Sequence, residues 1–228
     1  MDKLDSKQRT IIGIILNFAI FIETIIAIVW QIVFRGDAGP LGDFGSGFGS
    51  LQTFTNESNI LCALIALALA IVGILNLIKQ EYDFSHGWRI LQLVGATAVF
   101  LTFTIVLVFL SPLNATQTGN FFELFSSSMF ITHFLTPLLA ALTFVFFTPS
   151  KSAITTRDNF LVLIPVALYG VVYITNVVVL QIWPDFYHFT LGGRTQLLPL
   201  VIMVILAGTL GLARLLIIAN KKYQSKLS

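Results

Sequence analysis

With 228 residues, 56% of them hydrophobic and only 11% charged, the chain lacks the polar residues to clothe a soluble domain of its size. A net charge of +2, with no basic stripe interleaved with aromatics, excludes a nucleic-acid binder. The charges fall in short clusters between long apolar runs, which points to one all-α, polytopic membrane domain covering residues 1–228.

A bilayer core about 30 Å thick needs roughly 20 apolar residues per helix. Taken in chain order, six stretches have that length: 11–34, 60–78, 90–111, 128–147, 160–181 and 197–219. The first follows a basic N-terminus as a secretory signal would, but it is too long for an h-region and lacks a small-x-small cleavage site, so it reads as a retained helix. The connection 35–55 is Gly-rich and reads as a flexible linker, or else as a flap over an outward site. Asn56-Glu57-Ser58 and Asn114-Ala115-Thr116 fit glycosylation sequons. The lone cysteine, Cys62, lies in an apolar run and reads as a core residue.

Of the thirteen lysines and arginines, eleven fall on one side of this arrangement and only Arg35 and Arg194 on the other. The positive-inside rule then places both termini in the cytoplasm of a multi-pass protein, most simply one of the plasma membrane. Trp30, Trp88, Trp183 and Tyr187 fall at the expected interfaces as aromatic anchors. No internal repeat is present, which argues against a transporter built from two related halves.

Polar groups within the spans are the functional candidates, weighed against simple helix-packing roles. Counting about 1.5 Å per residue from the basic foot of each helix puts Asn59, His133 and Asn176 at one level, about 27–30 Å up, with Glu23 at about 21 Å. His133 is the best candidate base, although from its own features it reads sooner as a histidine bonded to a neighbouring helix. Pro137, four residues on, cannot donate to the His133 carbonyl and so predicts a kink. A nucleophile would come from the cluster 53–59, where Thr53 or Thr55 also suits an N-cap. There is no G-x-S-x-G elbow, no H-E-x-x-H and no Cys/His ligand set, so neither metal nor cofactor is expected.

Four motifs in order carry a resemblance. They are the run from Phe54 to Leu61, then Thr132-His133-Phe134-Leu135-Thr136-Pro137, then Pro165 with Tyr169 and Tyr173, then Trp183-Pro184 before Phe186-Tyr187-His188-Phe189. Together the chain resembles six-helix bacterial membrane proteins related to the animal androgen-induced and androgen-dependent hydrolases. That resemblance implies hydrolysis of fatty acid esters of hydroxy fatty acids, with Thr55 matching the nucleophile and His133 the catalytic histidine. Thr53 stands where an aromatic residue often precedes the Phe-Thr pair, so two threonines compete for the role. Asn59 and the backbone N–H groups of the second helix would hold the oxyanion, and Asn176 or Glu23 would orient the imidazole. The expected partner is a membrane lipid or lipid-like ester. On upright helices Thr55 would lie about 9 Å above His133, a gap that tilt or a dip of the loop must close. The competing expectation is a non-enzymatic transporter or lipid-binding protein using the same polar cluster.

Overall fold

The computed structural model describes residues 5–34, 47–150 and 152–226, and among these there is no strand. Six helices are long and apolar enough to cross a membrane: α1 (Ser6–Val33), α2 (Phe54–Ile78), α3 (His86–Thr118), α4 (Ser127–Phe146), α5 (Asp158–Val179) and α6 (Thr195–Gln224). They are the six expected spans with moved ends. The α3 end moves furthest, seven residues past position 111 to Thr118, and α2 starts six residues before position 60 because its polar first turn is helical and capped.

Burial in the bundle is inverted relative to a soluble protein. Thr10, Asn17, Thr24, Asn59, Thr97, Thr132 and Thr143 are buried, whereas Ile15, Leu64, Val171 and Met203 are more than half exposed. Helices in lipid gain little by hiding leucine and much by bringing small and polar side chains together, so this pattern is that of an integral membrane protein. In α1 the seam runs Thr10, Gly13, Asn17, Ile20, Thr24, Ala27, Gln31, and in α2 it runs Thr55, Asn59, Cys62, Ala66, Leu69, Gly73. Both alternate steps of three and four, the spacing that keeps one face on a partner helix. The backbones approach closely there: a Cβ added at Gly13 would lie 2.4 Å from the Phe147 carbonyl oxygen.

Of the apolar stretch of α3, 56% is buried, against 17% in α5 and 22% in α6, which makes α3 the central helix. It packs on α2, α4, α5 and α6, while α1 closes the other side against α2 and α4. Three of the helices carry a π turn, at Val106–Leu110 in α3, Ile131–Leu135 in α4 and Thr175–Val179 in α5. In α3 and α4 the turn is followed at once by Ser111-Pro112 and Thr136-Pro137. Proline removes the i+4 donor, and the residue before it bonds five back instead: Ser111 N–H to the Val106 carbonyl, Thr136 N–H to that of Ile131.

At the end of the bundle where α1 begins lie two buried arginines, which the sequence offered only as markers of orientation. Arg9 donates to the Phe146 carbonyl and to Gln224. Arg89 donates to the carbonyls of Phe144 and Thr148 and to Asn220 Oδ1, and its guanidinium lies 4.5 Å from the Phe144 ring centroid. Carbonyls left unpaired at the foot of α4 meet cations there, so the pair ties α1, α3, α4 and α6 together.

Candidate functional site

The opposite end holds the residues singled out from the sequence. Thr53 is the N-cap of α2: its hydroxyl donates to the Ser50 carbonyl at 2.9 Å and accepts from Asn56 N–H at 3.3 Å. Its donor and its capping role are therefore both in use. The stretch Gly47–Gln52 forms a 3-10 turn folded onto the bundle, with Ser50 buried, so this part of the connection is not the linker expected. Residues 35–46, the rest of that Gly-rich stretch, lie outside the described residues. Asn56 donates to Gln31 Oε1 and the Ser50 carbonyl, and Asn114 donates to Glu123. Both asparagines are at most 5% exposed, so neither sequon presents an acceptor.

Thr55 sits in the first turn of α2, facing inward, with its N–H donating to the Tyr187 hydroxyl at 3.4 Å. One turn further on, Asn59 donates to the Thr55 carbonyl at 2.7 Å and to the Thr132 carbonyl, on α4, at 3.1 Å. Both partners are acceptors, so the amide nitrogen must face them and neither of its hydrogens is left for an oxyanion. What Asn59 offers is an acceptor, since its Oδ1 is buried without a partner. This bridge sets Asn59 level with the Thr132–His133 pair, as the depth count expected, and leaves Thr55 a turn above it on the same seam.

His133 lies inside the α4 π turn and is buried. Its Nδ1 is 2.5 Å from the Leu124 carbonyl, in the turn that leads into its own helix rather than on a neighbouring one. A carbonyl only accepts, so Nδ1 carries the proton and the neutral ring presents Nε2 as a base. Glu23 accepts from the Thr136 hydroxyl at 3.2 Å, three residues along α4, so it braces the helix that carries His133. Asn176 does not join this group in its contacts: its amide donates to the Val172 carbonyl of its own helix, and its carbonyl accepts from Ile182 and Trp183 N–H, closing the end of α5.

Thr55 lines a cavity of about 250 Å³ enclosed by α3, α5, α6 and the 180–194 connection, with walls that are almost wholly aliphatic and aromatic. Thr55, Thr102, Tyr169, Tyr173 and Tyr187 are the hydroxyl-bearing residues among its walls. His133 lines neither this cavity nor the shallower groove beside it.

The sequence offered Tyr187 as an interface anchor, but it is 5% exposed and part of the site. Burial raises its phenol above the ordinary value, opposed by the N–H groups at the head of α2 that donate to it. Asp185 holds this connection in shape. It accepts from the Tyr173 hydroxyl, from Phe189 N–H at 2.9 Å, and from Thr190 N–H and hydroxyl at 2.8 and 2.6 Å. Burial would raise its carboxyl, yet these donors, Thr190 and Tyr173 foremost, hold it below the usual carboxylate range. Among the described residues no three His, Cys, Asp or Glu side chains gather as a metal site would need.

Fold and site together define a six-helix membrane protein with an apolar cavity whose walls include two threonines and three tyrosines. No protein-family model, curated protein or solved structure matches the chain.

Proposed function

We propose that the chain is an intramembrane threonine hydrolase of lipid esters, with Thr55 as nucleophile and His133 as base. The observation that carries this reading is that Thr55, and not Thr53, opens on an apolar cavity suited to a fatty chain. His133 supports it through its tautomer, which leaves Nε2 able to take a proton. In the first half-reaction Nε2 accepts the Thr55 proton, the oxygen attacks the ester carbonyl, and the alcohol leaves with the proton returned by the imidazolium. In the second, water gives its proton to His133 and attacks the acyl-threonine, which releases the acid and restores the hydroxyl. Thr53 serves as the cap. Glu23 positions α4, and Asn59 fixes α2 against α4.

One observation favours a second reading, a lipid-binding or transporting protein: His133 does not line the cavity. Long-chain ester hydrolysis by the purified protein separates the two. The hydrolase reading predicts turnover lost in Thr55→Ala and in His133→Ala, with Thr53→Ala active. Turnover unchanged in both, or ligand binding without turnover in the parent, leaves the binding reading. The distribution of lysines and arginines further supports an orientation with the Arg9–Arg89 end in the cytoplasm.

A further inference from the structure

Two spaces lie against the pair Phe54 and Tyr169 at the Thr55 end of the bundle, one on either side. Their ring centroids lie 5.2 Å apart, and Tyr169 is held by a hydrogen bond to the Gln52 carbonyl at 2.8 Å. On the inner side is the apolar cavity. On the outer side a groove of about 380 Å³ runs between α2 and α5, with Glu57, Gln52, Ser58 and Trp183 among its walls.

We propose that the two spaces take a single lipid ester, its acyl chain in the cavity and a hydrogen-bond-donating alcohol part, hydroxylated or aminated, in the groove, while esters bearing a free carboxylate are rejected. This rests on reading the Thr55 cavity as the ester site, and it departs from the hydroxy fatty acid that the family resemblance implies. The charge of the walls carries it. Among the described residues no Lys, Arg or His lines either space. A carboxylate there would lose water with no counter-ion and would face Glu57. Gln52 Oε1 adds to this, being buried without a hydrogen-bond partner. An acceptor of that kind is satisfied by a hydroxyl or an ammonium and not by a carboxylate.

The one feature that would favour an anion is the head of α2, and it is already occupied. Thr55, Asn56 and Glu57 N–H groups donate to the Tyr187 hydroxyl, the Thr53 hydroxyl and the Thr53 carbonyl. Glu57 itself supplies the first-turn negative charge.

Trp183, in the groove wall, makes a reporter that needs no turnover. The full-length Thr55→Ala variant, with Trp30→Phe and Trp88→Phe to leave Trp183 as the one tryptophan, is titrated with esters brominated on the acyl chain. The alcohol parts are glycerol, ethanolamine and glycolic acid. The proposal predicts half-maximal quenching by the glycerol and ethanolamine esters at a concentration about tenfold or more below that for the glycolic ester. It also predicts that Glu57→Gln, at an exposed position, narrows the gap. Equal or tighter binding of the glycolic ester, a gap unmoved by Glu57→Gln, or quenching by none of the three overturns it. Equal hydrolysis of all three by the parent would refute this preference while keeping the hydrolase reading. Selective quenching without hydrolysis would do the reverse.

Discussion

Thr53 and Thr55 are two residues apart, and only their surroundings tell them apart. Helix geometry assigns one to the cap and turns the other inward, where it meets Tyr187 and the cavity. The sequence left this choice open because either residue type suits either task. Thr53→Ala is therefore expected to destabilise the protein by about 1 kcal/mol, the usual worth of an N-cap. Thermal unfolding in detergent measures this, and ester turnover at a temperature below the transition should match the parent. Tyr187 was the harder residue to place. In sequence it looks like any interfacial aromatic, and only the fold of its connection turns the hydroxyl onto α2. A signal was present in Asp185, a lone acid in an apolar stretch with Thr190 five residues on, but its meaning depends on Tyr173 reaching it from α5.

At the scale of elements, all six helices were legible from length and hydropathy, whereas their packing faces were not. Apolar periodicity is mute when lipid and neighbouring helices are both apolar. The repeat exists in the complementary set, the small and polar residues of the α1 and α2 seams, so the readable pattern lay in the residues that are not hydrophobic. Pro137 predicted an irregularity at His133, and the helix there has a π turn, Ile131–Leu135. The 180–194 connection, which lines the cavity with Tyr187 and Phe189, depends on an ionised Asp185. Because its folded carboxyl is held below the ordinary value, the stabilisation is fully present above the unfolded carboxylate range and is lost as the pH falls through the folded pKa. Trp183 emission in the Trp30→Phe, Trp88→Phe background should stay constant down to mildly acidic pH and change below the usual carboxylate range. Asp185→Asn should remove that acid transition and show the opened signal throughout. An acid transition unaltered in the variant would mean that Asp185 does not hold the connection.

The whole molecule is polarised: one end is tied by buried arginines bonded to carbonyls, and the other carries a cavity lined by Thr55 and the tyrosines, with His133 buried outside its walls. Four helices meet at the arginine end, whereas α5 is the least buried of the six spans. If the arginine end is cytoplasmic, Arg194→Cys in intact cells reacts with a membrane-impermeant maleimide, and Lys226→Cys reacts only after the membrane is opened. Native Cys62 is buried and should stay silent in both. The central claim is the nucleophilic hydroxyl of Thr55 in the cavity wall. Its most direct test is to treat the purified full chain with a long-alkyl fluorophosphonate and locate the adduct by peptide mass spectrometry. A single adduct on Thr55, slowed in His133→Ala and absent in Thr55→Ala, is the predicted result. Ester turnover that continues with no adduct on Thr55, or labelling undiminished in Thr55→Ala, would contradict it.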